Sequence, residues 1–253
     1  MKIEIVKCLT DNYSYLIFDE KTLNSAVVDP SESGPIINKI EKNNLKLKYV
    51  FNTHHHYDHV GGNKKLKEKY NCKVVGFEKD KNRIPEIDIA LKDNQKWKNE
   101  LFECLILHIP GHTSGHICIY ISELNALFTG DTLFSLGCGR IFEGTYKEMY
   151  ESLIKLKKFP PDTRIYCGHE YTKKNSDFCL SIDSKNSKLI NKISNINKNI
   201  QNGNPTIPSI LRDELECNIF LRSDNIEIQK QLGVNIGNPI KAFAKLRDLK
   251  DNF

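Results

Sequence analysis

The sequence contains no run of about 18 apolar residues, the length that a membrane-spanning helix needs, so we expect no membrane span and no membrane partner. It also contains no CxxC pair, although eight cysteines are present. Several of them, such as Cys104 and Cys118, fall in apolar segments where a thiol packs as a small hydrophobic group. A strand pattern begins at residues 1–5 and leaves no room for a leader peptide, so we expect reduced thiols and a cytoplasmic location.

A strong excess of charge is absent as well. The chain carries 37 basic and 32 acidic side chains, which gives a formal net charge of +5. No aromatic and basic platform accompanies the lysines, so we expect no nucleic-acid partner, although the mild positive charge would assist an anionic small substrate. With 253 residues, of which 39% are hydrophobic and 27% charged, the chain is typical of a soluble globular protein.

The first two thirds of the chain alternates strand and helix patterns, whereas the last third is helical. This order is typical of an α/β sandwich followed by an all-α part, so we predict an α/β domain over 1–172 and a helical domain over 173–253. The helical patterns of the last part cover 174–200, a segment capped by Ser209, and a segment that begins at Pro239. The predicted strands are 2–9, 13–18, 26–29, 49–51, 73–76, 101–108, 117–121, 126–128 and 164–167, and the predicted helices before 172 are 35–44, 63–70 and one after the Thr145 capping box.

Four of the eight histidines and one aspartate lie within the seven residues THHHYDH at 53–59. An apolar strand at 49–51 precedes them and a glycine pair at 61–62 follows, so the cluster stands at the end of a strand, where α/β sheets place their ligand sites. Imidazole and carboxylate groups together suit a divalent metal such as zinc or iron. The spacing of His54 and His56 lets two imidazoles from one extended segment face the same ion, while Asp58 and His59 can reach a second one.

Three later strand ends carry further candidate ligands. His112 follows the strand at 101–108, and we predict it as the third imidazole of the first ion. Asp131 follows the strand at 126–128, and a carboxylate there can bridge two cations about 3.5 Å apart. His169 follows the strand at 164–167 and would complete the ligand set of the second ion. His116 is expected instead to support a ligand through a hydrogen bond.

These motifs together resemble the metallo-β-lactamase superfamily and, within it, the glyoxalase II or hydroxyacylglutathione hydrolase family. The resemblance covers essentially the whole chain and rests on THHHYDH, PGHTSGH, FTGDTLF, CGRIFEGT, YCGHEYT and LRDLKDNF. It implies an αββα sandwich with a C-terminal all-α domain and a site for two metal ions, zinc first, with iron or manganese as alternatives. The first ion would be held by His54, His56, His112 and Asp131, and the second by Asp58, His59, His169 and Asp131.

The family resemblance also implies a reaction and a substrate. Members hydrolyse S-D-lactoylglutathione to D-lactate and glutathione, the second step of methylglyoxal detoxification. Arginine and lysine can pair with the two carboxylates of glutathione, and Phe142 stands where the family often has a tyrosine, so one hydroxyl contact is missing. The resemblance implies glutathione contacts at Arg140, Phe142, Tyr171, Asn175, Arg247 and Lys250.

The expected mechanism uses a hydroxide that both ions share, because two cations lower the pKa of a bridging water toward about 7. Asp58 and Asp131 would hold this nucleophile, and Asp58 would also orient it. Three alternatives stay open: a persulfide dioxygenase with a single iron, a phosphodiesterase or nuclease of the same fold, and a non-catalytic binding module that has kept the metal ligands. We expect a monomer, with a dimer as the alternative.

Overall fold

The computed structural model describes all 253 residues, and the chain divides into two compact units. The first unit comprises Met1–His108 and Gly115–Gly130, and the second comprises Ile109–Ser114 and Asp131–Phe253. None of the helices combines the length and the apolar character that crossing a bilayer requires. The domain boundary between residues 172 and 173 stays a prediction.

A six-stranded mixed sheet forms the larger part of the first unit, with its strands in sequence order. The first two pairings are antiparallel and the next three are parallel. Helices supply the crossovers that parallel strands need, and their apolar faces cover a core that includes Leu16, Val50 and Ile36. The elements are β1 (Lys2–Cys8), β2 (Asn12–Phe18), β3 (Asn24–Val28), α1 (Ser33–Lys42), β4 (Lys46–Phe51), α2 (Tyr57–Val60), α3 (Asn63–Tyr70), β5 (Lys73–Phe77) and β6 (Ile87–Leu91).

Four antiparallel strands complete the first unit: β7 (Lys96–Lys98), β8 (Glu103–His108), β9 (Ile117–Ile121) and β10 (Ala126–Gly130). The predicted strands of this unit are confirmed to within a few residues. The polar stretch 78–96 gave no prediction, yet it contains β6 and the first residue of β7. The residues of β6 do alternate, with Ile87, Ile89 and Leu91 on the more buried side, but so short a strand is hard to recognise within a long polar stretch.

The second unit combines short strands with helices. The Thr145 capping box is confirmed, because the Thr145 hydroxyl accepts from Glu148 N and the Glu148 carboxylate accepts from Thr145 N. The elements are β11 (Leu133–Phe134), β12 (Gly137–Cys138), α4 (Tyr146–Leu156), β13 (Arg164–Cys167), α5 (Thr172–Ile182), α6 (Ser187–Gln201), β14 (Ser209–Ile210), α7 (Leu211–Cys217), α8 (Ile226–Gln231) and α9 (Pro239–Asp251).

The prediction that Ser209 caps a helix is wrong. Ser209 belongs to β14, where it pairs with Ile165 of β13. The residue in the N-cap position of α7 is instead Ile210. The sequence also predicts no strand after residue 172, and β14 (Ser209–Ile210) contradicts that prediction. Asparagines cap the flanking helices instead: Asn186 accepts from the first turn of α6 and Asn238 from that of α9.

Candidate metal ligands and substrate-binding residues

The predicted ligand loop lies between β4 and α2 in the first unit. The ring of His54 lies 4.7 Å from that of His56 and 4.1 Å from that of His59, measured between centroids. Asp58 Oδ2 lies 3.7 Å from His59 Nε2. His54 and His59 are buried, whereas His56 and Asp58 are partly exposed. The first unit therefore gathers its four predicted ligands into one small cluster.

Asp29, at the end of β3, holds this cluster in place. Its carboxylate accepts hydrogen bonds from Thr53 N at 2.8 Å and Thr53 Oγ1 at 2.7 Å, and its Oδ2 lies 3.0 Å from His59 Nδ1. Thr53 Oγ1 in turn lies 3.0 Å from His54 Nδ1. With Nδ1 of both imidazoles occupied in this way, Nε2 is the nitrogen left for a metal, which is the usual role of a supporting carboxylate.

Asn12 has a similar supporting role for Asp58. Its side-chain nitrogen donates to Asp58 Oδ2 and to Asp58 O, both at 3.0 Å. Sequence reasoning missed Asn12, Asp29 and the role of Thr53. One signal was available for Asp29, which follows an apolar strand in the same way as the predicted ligands do.

Two further histidines of this unit differ from the ligands. His55 Nδ1 lies 3.3 Å from Oδ2 of the fully buried Asp80, which also accepts from Arg83 Nε at 3.0 Å. His116 is buried and stacks on His54, with ring centroids 4.6 Å apart and an interplanar angle of 18°. His116 thus packs against a predicted ligand, while its expected hydrogen bond stays a prediction.

The second unit brings its three predicted ligands together around one carboxylate oxygen. Asp131 Oδ2 lies 3.5 Å from His112 Nε2 and 3.3 Å from His169 Nε2. All three residues are at most 6% exposed. His112 Nδ1 lies 2.8 Å from Arg140 O, and the ring of His169 stacks on that of Tyr171 at 4.7 Å. One carboxylate beside two imidazoles is a donor set that can bind a divalent metal ion.

The donor set of each unit fits a divalent metal ion. Neutral imidazole and carboxylate oxygen are the ligands that zinc and iron prefer when no thiolate is present. The Nδ1 atoms of His54, His59 and His112 all have a partner on the protein, which orients each ring for Nε2 coordination. These side chains are therefore able to bind metal.

The six predicted glutathione contacts belong to the second unit and differ in accessibility. The Arg140 side chain is 65% exposed, with Nε 3.5 Å from Asp251 Oδ1. Phe142 is 63% exposed, and its ring lies 5.2 Å from that of His112. Tyr171 is partly exposed at the start of α5. These three side chains are accessible to a small molecule.

The other three predicted contacts already have partners on the protein. Asn175 is 6% exposed and its side-chain nitrogen donates to Ser135 O at 3.1 Å. Arg247 is 4% exposed; Nη1 donates to Cys138 O at 2.7 Å and Nη2 to Asp251 Oδ1 at 2.9 Å.

Lys250 donates to Lys174 O at 3.0 Å and is partly exposed. Burial, and secondarily the nearby Arg247 guanidinium, lower the pKa of Lys250 below its ordinary value. Because Lys250 is partly exposed, an anion can reach it at the surface. Arg247 and Asn175 are buried and hydrogen-bonded to backbone carbonyls.

The cysteines are poor candidates for a nucleophile. All eight are buried and none forms a disulfide. Burial raises the pKa of Cys138 to about 11 and that of Cys179 to about 12, and it raises the pKa of Cys167 further still. Because the thiolate is the reactive form, these thiols are inert at neutral pH, in agreement with the packing role expected from the sequence.

Comparison with known proteins gives two family matches that together span most of the chain. The family described as "Hydroxyacylglutathione hydrolase C-terminus" matches residues 170–253, and the metallo-beta-lactamase superfamily matches residues 10–91 and 99–169. A hydroxyacylglutathione hydrolase of Pelagibacter ubique is 56% identical over 253 residues and covers 100% of both chains. A hydroxyacylglutathione hydrolase of Arabidopsis thaliana, named as cytoplasmic, is 45% identical over 260 residues, covering 100% of this chain and 99% of its own.

Among solved structures, ETHE1 from Myxococcus xanthus superposes with a TM-score of 0.68 at 23% sequence identity, covering 99% of this chain and 100% of its own. At this identity the likeness concerns the fold alone. Together with the mixed sheet of the first unit and the helices that end the chain, it confirms the predicted α/β sandwich of metallo-β-lactamase type with a helical C-terminal part.

Proposed function

Because this chain belongs to the hydroxyacylglutathione hydrolase family of the metallo-β-lactamase superfamily, we propose that it hydrolyses S-D-lactoylglutathione, or a related 2-hydroxyacylglutathione, to the hydroxy acid and glutathione. The observation that carries the proposal is the placement of Asp131 Oδ2 within 3.5 Å of Nε2 of both His112 and His169. A carboxylate beside two imidazoles can serve one iron or take part in a two-metal site. The four further predicted ligands, His54, His56, Asp58 and His59, favour two ions, because seven ligands exceed what a single ion takes.

We propose seven metal ligands for two ions. Zinc is the first choice of metal, and iron and manganese have compatible ligand preferences. Four of the proposed ligands follow one another on a single loop, and Asp131 is the proposed bridging carboxylate. The first ion would take His54, His56, His112 and Asp131, and the second would take Asp58, His59, His169 and Asp131.

When bound, the two ions supply a water of lowered pKa and a positive charge for the thioester oxygen. Asp58 is proposed to orient that water, because Asn12 fixes one carboxylate oxygen through a hydrogen bond of 3.0 Å. Hydrolysis breaks the bond between the acyl carbon and sulfur, and the glutathione thiol leaves as a thiolate that needs no strong general acid. This chemistry calls for no cysteine nucleophile.

Glutathione recognition is proposed for the accessible cations and aromatic rings of the second unit. Arg140 and Lys250 would pair with the carboxylates of glutathione, and Tyr171 would contact its peptide part. Phe142 would add apolar contact without a hydroxyl. Arg247 and Asn175 are proposed to contribute mainly by shaping the surface, since their side chains are buried and bonded to the backbone.

A cytoplasmic location and a monomeric state complete the proposal. The Arabidopsis relative that is named as cytoplasmic supports the location. A small-molecule substrate needs no second subunit, and the proposed ligands all come from one chain. Sedimentation of the purified protein would test the monomer.

The direct test is the assay of purified, metal-loaded protein with S-D-lactoylglutathione. We expect hydrolysis with about two metal ions per chain by elemental analysis. Oxygen consumption with glutathione persulfide and a single iron would instead identify a dioxygenase. Absence of thioester hydrolysis at full metal occupancy would overturn the proposed function.

A further inference from the structure

The hairpin formed by β11 and β12 follows directly after Asp131 and has an unusual turn. Leu136, at the turn, has a φ of +56°, a left-handed conformation that is uncommon for a residue with a branched side chain. Its side chain is fully buried. Such a backbone persists only when its surroundings hold it, and strained positions of this kind cluster near functional sites.

Four buried side chains from the helices that follow hold the backbone of this turn. Glu214 Oε2 accepts from Leu136 N at 2.7 Å, and Cys179 Sγ donates to Leu136 O at 3.1 Å. Asn175 donates to Ser135 O, and Asn218 donates to Gly137 O, each at 3.1 Å. We name Asn175, Cys179, Glu214 and Asn218 the hairpin cage.

Glu214 is the centre of the hairpin cage. Its side chain is fully buried, and Oε2 also accepts from Asn218 Nδ2 at 3.1 Å. Oε1 accepts from Lys192 Nζ at 2.9 Å, so the carboxylate is compensated by a cation. Burial tends to lower the pKa of Lys192, but the neighbouring carboxylates of Glu214 and Asp213 raise it overall, which keeps the amine charged. A buried carboxylate with all its partners satisfied is a rigid anchor.

The hairpin connects this anchor to the proposed metal ligands. Gly139, just past β12, approaches the backbone of Asp131 so closely that a Cβ there would lie 1.9 Å from Asp131 O. The next residue, Arg140, offers its carbonyl to His112 Nδ1 at 2.8 Å, and Phe142 N donates to His112 O at 3.3 Å. The segment that leaves the hairpin therefore touches both Asp131 and His112.

We propose that Glu214 and Asn218 are positioning residues for the metal ligands Asp131 and His112. The C-terminal helices then contribute to metal binding as well as to substrate recognition. They hold the hairpin in place, and the segment after the hairpin orients two proposed metal ligands. This inference rests on the proposed metal-dependent function. It predicts that loosening the hairpin cage weakens metal binding even though no cage residue touches the metal.

The test measures zinc affinity of Glu214→Gln by competition with a chelator. Glutamine can still accept from Leu136 N, but its amide nitrogen then faces the Lys192 amine, so the anchor loosens without a change in size. Loss of a partner bonded directly to a metal ligand weakens metal binding by about 10- to 100-fold. Because Glu214 acts through the hairpin, we expect a decrease at the lower end of this range, about tenfold. The matched control is Asp183→Asn, which breaks an ion pair with Arg222 among the same helices and touches no hairpin atom.

Both variants are compared with the parent protein at a temperature where all are folded, so that lost stability alone cannot change the affinity. If Glu214→Gln fails to fold, Asn218→Asp carries the same measurement, since it keeps the Glu214 carboxylate and the acceptor for Phe220 N while removing the amide that donates to Gly137 O. Unchanged zinc affinity in the folded cage variant, or an equal loss in Asp183→Asn, would overturn the inference. Failure of the parent protein to bind zinc would instead refute the proposed function.

Discussion

The two units hold their proposed metal ligands in different ways. In the first unit, His54, His56, Asp58 and His59 come from six consecutive positions. Their support comes from two nearby side chains, Asp29 and Asn12. In the second unit, His112, Asp131 and His169 are far apart in sequence, and the support comes from backbone atoms around a hairpin. A contiguous loop is held by a few side-chain hydrogen bonds, whereas dispersed ligands need the surrounding fold to hold them together.

Asp131→Ala should have the largest effect, because it removes the one ligand proposed to serve both ions and leaves two buried imidazoles without their carboxylate. We expect loss of both metals by elemental analysis. Turnover of S-D-lactoylglutathione should fall well beyond the roughly 10- to 100-fold that loss of a supporting partner costs. A fully active variant would refute the assignment of Asp131.

The His54→Ala variant should lose the first ion and keep the second, because His54 is proposed to bind only the first. Turnover should be abolished, since the reaction needs both. His55→Ala is the matched control: His55 is adjacent in sequence but faces Asp80. If His54→Ala keeps two ions, or if His55→Ala loses one, the ligand assignment within the loop is wrong.

Asp29→Asn should weaken metal binding by about 10- to 100-fold without removing a ligand. The amide can accept through only one atom. Placed where Oδ2 lies, it leaves Thr53 N without an acceptor; placed where Oδ1 lies, it leaves Thr53 Oγ1 and His59 Nδ1 without one. The measurement is zinc affinity by chelator competition. A zinc affinity equal to that of the parent protein would mean that the ligand loop keeps its conformation without the Asp29 carboxylate. That result would contradict the comparison between the units.

Lys250→Ala and Arg247→Ala should give the smallest effects on chemistry and should raise KM for the thioester more than they lower kcat. For Lys250 we expect about a tenfold rise in KM, typical of one hydrogen bond to a charged group. Because the pKa of Lys250 is lowered, its cation is lost as the pH rises through that lowered value, so KM of the parent protein should climb at alkaline pH.

Lys250→Arg keeps the charge and should flatten that alkaline climb. Arg247→Ala should in addition lower the melting temperature, because Arg247 binds Cys138 O and lies 5.2 Å above the Phe220 ring. An unchanged KM in both alanine variants would contradict an anion-binding role for this helix.

Sequence reasoning was most informative about the first unit. The spacing of His54, His56, Asp58 and His59 predicts a ligand cluster directly, because neighbouring residues on one loop share a location. Asp131 and His169 were predictable only from their position after apolar strands and from the family resemblance. Nothing local in the sequence indicates that Glu214 reaches Leu136, since the contact spans 78 positions.

The same limit applies to substrate recognition. Arg247 and Lys250 stand three residues apart on α9 and look equivalent in the sequence. In the structure one is buried against backbone and an aromatic ring while the other is partly exposed. Helical spacing predicts a shared face, but it does not show which part of that face is covered by other elements.

The central claim is that the seven proposed ligands hold two ions that act together in thioester hydrolysis. The most direct measurement is a titration of metal-free protein with zinc while S-D-lactoylglutathione hydrolysis and bound metal are followed in the same sample. We predict that activity reaches its maximum only as occupancy approaches two ions per chain. Full activity at one ion per chain, with no further change on adding the second, would contradict the claim.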